Sequence, residues 1–355
     1  MGVKRLLVSV VCCLLVGGCA WTDSGGNDER SAARPVARLI AYTRYAAAGH
    51  AEVWVARVDG RGRRRLAEGN APKISPDGRW VAFERQLGSR VYPRDLMLVA
   101  TLGGRPRLLM RAVGQAVWSP DSKRLAVLQF LDDRRSALLS ITIETGERTT
   151  VARGSLSDWS FSPRGDEIAY VRADPAGSGP FLGDSDVYIA GLDGGGERRV
   201  TDDGDSAFAV WGPREIAFAR LVPYRGWGAH EIWLVRPDGS GRRLLTKTPR
   251  SLLGSGIVGL VPVAWSADGR ALLAALANEF GGVPFAVDPR SGSVRRVGDF
   301  DYGAWPDGLS RDGRSVLVSY GDVNVTQRTR IEVVPYVGGP GRVFARRAGE
   351  ASWSR

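Results

Sequence analysis

The stretch Ile74-Ser75-Pro76-Asp77-Gly78-Arg79-Trp80-Val81-Ala82-Phe83 decides the fold, because its pattern recurs along the chain. An apolar residue precedes Ser-Pro-Asp-Gly, which favours a tight turn, and a short apolar run typical of a β-strand follows. Relatives of this motif begin at Trp118, Phe161, Trp211, Trp265 and Leu309, and a seventh copy starts at Trp353. If Gly212 is taken for the serine of the shortened fourth copy, successive motif serines lie 44, 43, 50, 54, 44 and 44 residues apart.

A period near 44 residues is typical of one four-stranded blade of a β-propeller. Two further signals recur between the motifs, namely an apolar strand leading to Asp-Gly, as at Asp59-Gly60, and an Arg-led strand, as at Arg64-Arg65-Leu66. The sequence therefore predicts an all-β propeller of seven four-stranded blades, with six as the alternative. The first blade takes three strands from residues 38–67 and its inner strand from residues 350–354. Pairing of the C-terminal strand with the N-terminal blade is predicted to close the ring.

The first twenty residues are typical of a secretion signal. Lys4 and Arg5 precede Leu6–Val16, an apolar run of eleven residues, which is shorter than the roughly 20 residues that span a bilayer. The run ends in Leu-Val-Gly-Gly-Cys, which resembles the bacterial lipobox. That resemblance implies cleavage after Gly18 and lipidation of Cys19, while an ordinary signal peptide that contains cysteine is the alternative.

Residues 20–36 are mostly polar and are predicted to be a flexible tether. The predicted organisation is therefore a lipoprotein signal peptide at 1–18, the lipidated cysteine and tether at 19–36, and the propeller at 37–355. Two or three acyl chains on Cys19 would anchor the protein stably to membrane lipid. The expected location is the extracytoplasmic face of the cell membrane.

The motif copies resemble the propeller of TolB and its relatives over residues 37–355. TolB-type proteins commonly have six blades, whereas seven are counted here. TolB also carries an N-terminal α/β domain, for which there is no room between Cys19 and the first predicted strand. The resemblance implies a propeller of the bacterial cell envelope, but the partners of TolB do not transfer with it.

Composition argues against several kinds of catalytic site. The cysteines Cys12, Cys13 and Cys19 all precede the propeller, and the only histidines are His50 and His230. Both histidines come just before an apolar strand, in repeats nearly opposite each other, and are expected to be exposed loop residues that share no metal. Residues 202–205, Asp-Asp-Gly-Asp, are only a fragment of a calcium loop. No catalytic residue, metal or cofactor is predicted, and the net charge of +11 is spread over scattered arginines, so nucleic acid is not expected as a partner.

Loop length points to a binding face. The longest segments between strands are 85–94, 173–185, 221–230 and 247–261, and in a propeller these loops emerge on one side. Aromatic residues and arginine are typical interface anchors. The candidate partner-binding residues are therefore Tyr92, Arg94, Phe181, Tyr224, Arg225, Trp227 and His230. The alternative is that these side chains only cap the cores of the blades.

Three functions remain open. The first is a membrane-anchored, monomeric scaffolding module that binds an envelope protein, peptide or glycan. The second is an extracytoplasmic hydrolase or lyase that uses loop carboxylates such as Asp174, Asp184 or Asp203. The third is electrostatic binding of an anionic envelope polymer by the Arg-rich outer strands. The first is preferred because the sequence lacks converging catalytic histidines.

Overall fold

A computed structural model describes residues 38–46, 50–86, 94–132, 135–174, 184–224, 227–253, 257–278, 281–300, 303–321 and 329–354. All of them belong to the compact unit Val36–Arg355. Apart from one 3-10 helix, Arg250–Leu252, the regular structure of these residues consists of β-strands. The all-β prediction is confirmed.

The strands are short and follow one another closely. In the first half of the chain they are β1 (Leu39–Tyr45), β2 (Ala51–Arg57), β3 (Arg64–Glu68), β4 (Asn70–Ile74), β5 (Trp80–Arg85), β6 (Arg94–Ala100), β7 (Arg107–Trp118), β8 (Arg124–Phe130), β9 (Ser136–Thr142), β10 (Arg148–Phe161), β11 (Glu167–Ala173), β12 (Ser185–Gly191) and β13 (Arg198–Arg199).

The second half repeats the arrangement. Its strands are β14 (Ser206–Trp211), β15 (Ile216–Tyr224), β16 (Trp227–Val235), β17 (Arg243–Thr246), β18 (Ile257–Trp265), β19 (Leu272–Asn278), β20 (Gly281–Val287), β21 (Val294–Arg296), β22 (Ala304–Leu309), β23 (Ser315–Tyr320), β24 (Arg330–Pro335), β25 (Arg342–Arg346) and β26 (Ala348–Trp353).

Pairing that is antiparallel except between β16 and β18 builds four sheets of four, ten, eight and four strands, and none of them closes on itself within the described residues. The ten-stranded sheet arises because β7 and β10 each serve two neighbours. The first part of β7 pairs with β6 and its last part with β8, and β10 does the same with β9 and β11. We call the strands that end at a motif serine or at Gly212 the inner strands; they are β4, β14, β18, β22, β26 and the last parts of β7 and β10.

The motif serine organises each turn. The hydroxyl of Ser75 donates a hydrogen bond to Asp77 (2.6 Å) and accepts one from the Trp80 amide (2.9 Å), while Gly78 supplies the positive φ of 72° that the turn needs. Ser119, Ser266 and Ser310 bind an aspartate in the same way. The turn therefore depends on a local contact that recurs wherever the motif does.

The last copy of the motif is completed by the other end of the chain. Ser354 accepts a hydrogen bond from the Leu39 amide at 2.7 Å, and its own amide donates to the Leu39 carbonyl at 2.9 Å. Leu39 thus takes the place that Trp80 takes beside Ser75. Strand β26 pairs antiparallel with β1, with Ile40 opposite Trp353, and the first sheet has the order β26-β1-β2-β3.

Apolar cores lie between neighbouring repeats. One cluster joins Val53 from β2 to Phe83 from β5, and another joins β1 to the last sheet. In the second cluster Tyr42 packs edge-on against Phe344 with ring centroids 5.5 Å apart. Each repeat therefore buries its apolar face against the next one, as expected of a stack of sheets that cannot form a core alone.

Polar contacts also join the repeats at their outer strands. Arg107, Arg198, Arg295 and Arg342 each donate to a backbone carbonyl in the turn of the following repeat, at 2.6, 3.3, 2.8 and 2.7 Å. Arg64 makes the equivalent contact with the Leu102 carbonyl, and Thr149 makes it with Leu192 at 2.8 Å. We call these contacts the outer rim. The arginines of the outer strands therefore have a structural role that the sequence alone did not reveal.

Candidate functional site

The inner strands share a β-bulge at or next to the position four residues before the motif serine or its equivalent. Register shifts there are seen in β4, β7, β10, β14, β22 and β26. In four of these strands the residue at this position has a positive φ: 48° at Ala71, 46° at Asp158, 54° at Phe208 and 52° at Glu350. A bulge re-aims the side chain that it carries, and here every residue at the position lines one cavity.

This cavity, which we call the channel, has a volume of about 2400 Å³. The seven residues of the bulge position all line it: Ala71, Gln115, Asp158, Phe208, Pro262, Pro306 and Glu350. Small, aromatic and acidic side chains therefore occupy equivalent backbone positions. The strands repeat, but the chemistry of the wall does not.

Tryptophans tie the channel wall together. The indole nitrogens of Trp118, Trp265 and Trp353 donate to a backbone carbonyl of the preceding inner strand, at 2.7, 3.2 and 3.3 Å. Each of these tryptophans stands one residue before a motif serine. Trp305, in contrast, is 42% exposed and also lines the channel, so part of its indole is available to a ligand.

Asp307 is a carboxyl of the channel wall whose pKa is strongly raised. It accepts a hydrogen bond from the Ser319 hydroxyl at 2.6 Å. Burial raises the pKa of Asp307 to about 7, the charge of Glu350 adds to the rise, and the Ser319 hydrogen bond and the charge of Lys73 oppose it. This carboxyl therefore changes its charge near neutral pH.

Asp158 and Glu350 extend the acidic wall. Burial raises the pKa of Asp158, against hydrogen bonds from the Ser157 hydroxyl and the Phe208 amide. The carboxylate of Glu350 accepts from the Thr43 hydroxyl (2.8 Å) and the Ala71 amide (2.9 Å), which fixes its direction. Neither residue forms an ion pair within the described part of the chain.

Three of the predicted partner-binding residues meet at this cavity. Arg94, Tyr224 and His230 all line the channel. Arg94 is only 13% exposed and pairs with Glu84 at 2.8 Å; burial raises the pKa of Glu84 although Arg94 lowers it. Arg94 is therefore part of the wall rather than of an open loop.

Of the other predicted site residues, the structure describes only Trp227. Cys19, Tyr92, Phe181 and Arg225 lie outside the described residues. Trp227 begins β16 and pairs through its backbone with Tyr224 at the end of β15. Whether these residues bind a partner stays a prediction.

The prediction that His230 is an exposed loop residue was wrong. His230 is 1% exposed, lies within β16 opposite Leu221 and packs edge-on against Phe208 at 5.6 Å. The strands β15 and β16 extend further than expected, and Gly259 approaches so closely that a Cβ there would lie 2.7 Å from the His230 backbone nitrogen. His50 is exposed.

The loop carboxylate Asp203 is engaged in structural contacts. It is 12% exposed and forms ion pairs with Arg220 at 2.8 Å and with Arg242 at 3.4 Å. Among the described residues, no group of three or more His, Cys, Asp or Glu side chains is placed to hold a metal ion. The described residues also include no helix long and apolar enough to cross a membrane.

No family model and no curated protein matches the chain. Solved structures match it in fold. TolB from Acinetobacter baumannii is 17% identical over 90% of this chain and 83% of its own, with a TM-score of 0.54. The β-propeller domain of the trilobed protease from Pyrococcus furiosus is 14% identical over 88% of this chain and 95% of its own, with a TM-score of 0.61.

An enzyme is among the similar structures. Oligogalacturonate lyase in complex with manganese is 16% identical over 86% of this chain and 84% of its own, with a TM-score of 0.59. The chain therefore has a TolB-like β-propeller fold. At these identities the likeness extends to the fold alone.

Proposed function

We propose that the repeats form a ring of seven four-stranded blades closed by β26. Two contacts of β26 support this proposal. Trp353 donates to the Gly308 carbonyl of β22, and Ser352 accepts from the Ile74 amide of β4 at 3.0 Å. The last strand of the chain therefore touches both the preceding inner strand and the first one, as a closed ring requires.

Removal of residues 350–355 tests this closure. The deletion takes away a wall of the channel and the serine that binds Leu39. We expect a loss of thermal stability far larger than an ordinary tail truncation causes, measured as the melting temperature, whereas removal of Arg355 alone changes nothing. An equal melting temperature for the two truncations would contradict closure.

We propose further that the protein is a binding module whose ligand or partner occupies the channel. The main support for this proposal is the channel itself, which is about 2400 Å³ in volume and is lined by aromatic and acidic side chains. Concave sites with a few polar groups are the usual places for ligands. Tyr224 and Arg94 in the channel wall, together with Trp227 at the start of β16, remain the proposed partner contacts from the sequence.

A non-catalytic role is part of this proposal, and an extracytoplasmic hydrolase or lyase is its competitor. The ion pairs of Asp203 support the non-catalytic role, because a carboxylate held by two arginines is a poor general base. A broad hydrolase and lyase activity screen with the purified chain separates the two. Turnover that survives Asp203→Asn but is lost on Asp307→Asn would move the proposal to a channel enzyme.

We propose that Cys19 carries a lipid that tethers the module to the extracytoplasmic face of the membrane. The apolar run and the lipobox-like Leu-Val-Gly-Gly-Cys support this proposal. Metabolic labelling with a palmitate analogue should mark the full chain and not Cys19→Ala. Equal labelling and equal membrane recovery of the two chains would refute the anchor.

Partner capture tests the binding role. Cross-linking in intact envelopes followed by affinity recovery should yield a partner with the full chain and much less with Tyr224→Ala. Arg105→Ala serves as the control, because Arg105 is exposed and outside the channel. Equal capture by both variants, with unchanged melting temperatures, would remove Tyr224 from the site.

A further inference from the structure

The charge of the channel is opposite to that of the chain. Six acidic residues line the channel (Asp77, Glu84, Asp121, Asp158, Asp307 and Glu350), against three basic ones (Lys73, Arg94 and Arg311). The whole chain carries a net charge of +11. Field lines concentrate in a cleft with low-dielectric walls, so the sign of the lining decides which ions enter.

Some of these charges are already balanced by local contacts. Arg94 and Glu84 form a buried pair. Asp77 forms an ion pair with Arg79 at 3.8 Å, and the charge of Lys123 lowers the pKa of Asp121. These residues therefore leave little net charge for a ligand.

Three carboxyls remain: Asp158, Asp307 and Glu350. None of them forms an ion pair in the described ranges, and the charge of Lys73 only partly offsets the rise in the pKa of Asp307. A ligand with several positive charges would supply the counter-charges that the wall lacks. A polyanion such as an oligogalacturonate would meet repulsion from the same carboxyls.

Trp305 adds an independent feature to this wall. Its indole packs over Gly282, where a Cβ would lie 2.9 Å from the ring, yet 42% of the residue stays exposed. Trp is the best aromatic partner for an organic cation, because its ring face is the most electron-rich. The wall therefore offers both ion pairing and cation–π contact.

We propose that the channel binds an organic polycation, a molecule with two or more ammonium groups, between the carboxyls of Asp158, Asp307 and Glu350 and the indole of Trp305. This inference rests on the proposed function, because it names the ligand class of the same channel. The basic exterior does not attract such a ligand, so binding should be confined to the channel.

Spermidine is a suitable probe, with trigalacturonate as the anionic counterpart. We expect spermidine to change the tryptophan fluorescence of the full chain, and Trp305→Phe to remove most of that change. Asp307→Asn and Glu350→Gln should each weaken binding at least tenfold in calorimetry. Glu144→Gln, an exposed site away from the channel, should bind like the unmodified chain.

The pH dependence gives a second readout. Lys73, Glu350 and Tyr45 are the charged or titratable groups that interact with Asp307. A bound cation favours ionised Asp307, so binding should tighten as the pH rises through 7 and should release protons. Calorimetry in phosphate and in Tris buffer measures that release, which Asp307→Asn should reduce.

The outcomes separate the two levels of the proposal. If spermidine has no effect while trigalacturonate perturbs Trp305, the channel is a binding site but the polycation inference is wrong. If neither probe perturbs Trp305, the polycation inference falls and the channel loses support as the binding site. If spermidine binds equally to the carboxyl variants, binding elsewhere overturns the inference.

Discussion

Equivalent positions of the repeats carry recurring arginines at the outer rim but different residue types in the channel. At the rim, arginines from different repeats make one contact, a hydrogen bond to the turn of the following repeat. In the channel, the bulge position carries Ala71, Asp158, Phe208 and Glu350 on the same backbone geometry. The recurring rim arginines therefore stabilise the scaffold. The bulge position keeps its backbone geometry but varies in side chain, so it can contribute to ligand recognition.

The contrast between scaffold and channel wall predicts that two nearby substitutions, one in the turn after β7 and one in β7 itself, differ greatly in their effect on stability. Ser119 is fully buried and binds both Asp121 and the Arg124 amide, while Gln115 on the same strand is exposed in the channel. We expect Ser119→Ala to lower the free energy of unfolding by about 2 kcal/mol, because the Asp121 carboxylate and the Arg124 amide both lose their partner. Gln115→Ala should stay within about 0.5 kcal/mol of the unmodified chain. Equal losses in urea unfolding would break the distinction between scaffold and wall.

Removal of the Asp307 charge should stabilise the folded chain. The pKa of Asp307 is about 7 in the folded chain against 3.8 ordinarily, so the folded state binds more protons between these values. The free energy of unfolding therefore falls as the pH rises from about 4 to about 7. Asp307→Asn should remove that fall and be the more stable chain at pH 8 by about 1–2 kcal/mol, after allowance for water in the channel.

Urea unfolding between pH 4 and pH 8 measures this effect, with Glu144→Gln as the control. The difference between Asp307→Asn and the unmodified chain should grow with pH, whereas Glu144→Gln should show no such trend. Parallel pH profiles for all three chains would mean that ionisation of Asp307 does not lower the free energy of unfolding.

The smallest expected effect lies at the rim. Arg107→Met removes a hydrogen bond of 2.6 Å to the Ile143 carbonyl and keeps most of the aliphatic length of the side chain, so we expect a loss of about 0.5–1 kcal/mol. Arg105→Met is the matched control, because Arg105 is also exposed nearby and makes no such contact within the described residues. Unfolding curves that coincide for the two variants would show that the rim contacts contribute nothing to stability.

The sequence predicted most of the scaffold because its signals are local. The contact of Ser75 with Asp77 spans two residues, and the same spacing can be read directly in other copies of the motif. Even the meeting of Ser354 with Leu39 could be predicted, since the last motif copy lacks its following strand and the first strand lacks its preceding motif.

The site was predicted less well because it depends on bulges and on strand length. Asp158, Asp307 and Glu350 have no common neighbouring residues. Each stands three or four residues before a motif serine, and that distance is the one signal that could have revealed them. His230 was misjudged because the extension of β16 and the approach of Gly259 are tertiary effects. Arg94 was chosen as a surface anchor, but its buried partner Glu84 lies ten residues earlier, across a hairpin.

Closure of the chain by its own last strand is the central claim, because β26 contributes Glu350, Ser352 and Trp353 to the channel. Arg44 lies directly opposite Ala348 in the pairing of β1 with β26. In the full chain with Cys12, Cys13 and Cys19 replaced by serine, Arg44→Cys combined with Ala348→Cys should form a disulfide that links the two ends, seen as a mobility shift on a non-reducing gel. Arg105→Cys combined with Ala348→Cys should remain reduced. A doubly substituted chain at 44 and 348 that stays monomeric and reduced under mild oxidation would contradict the closure.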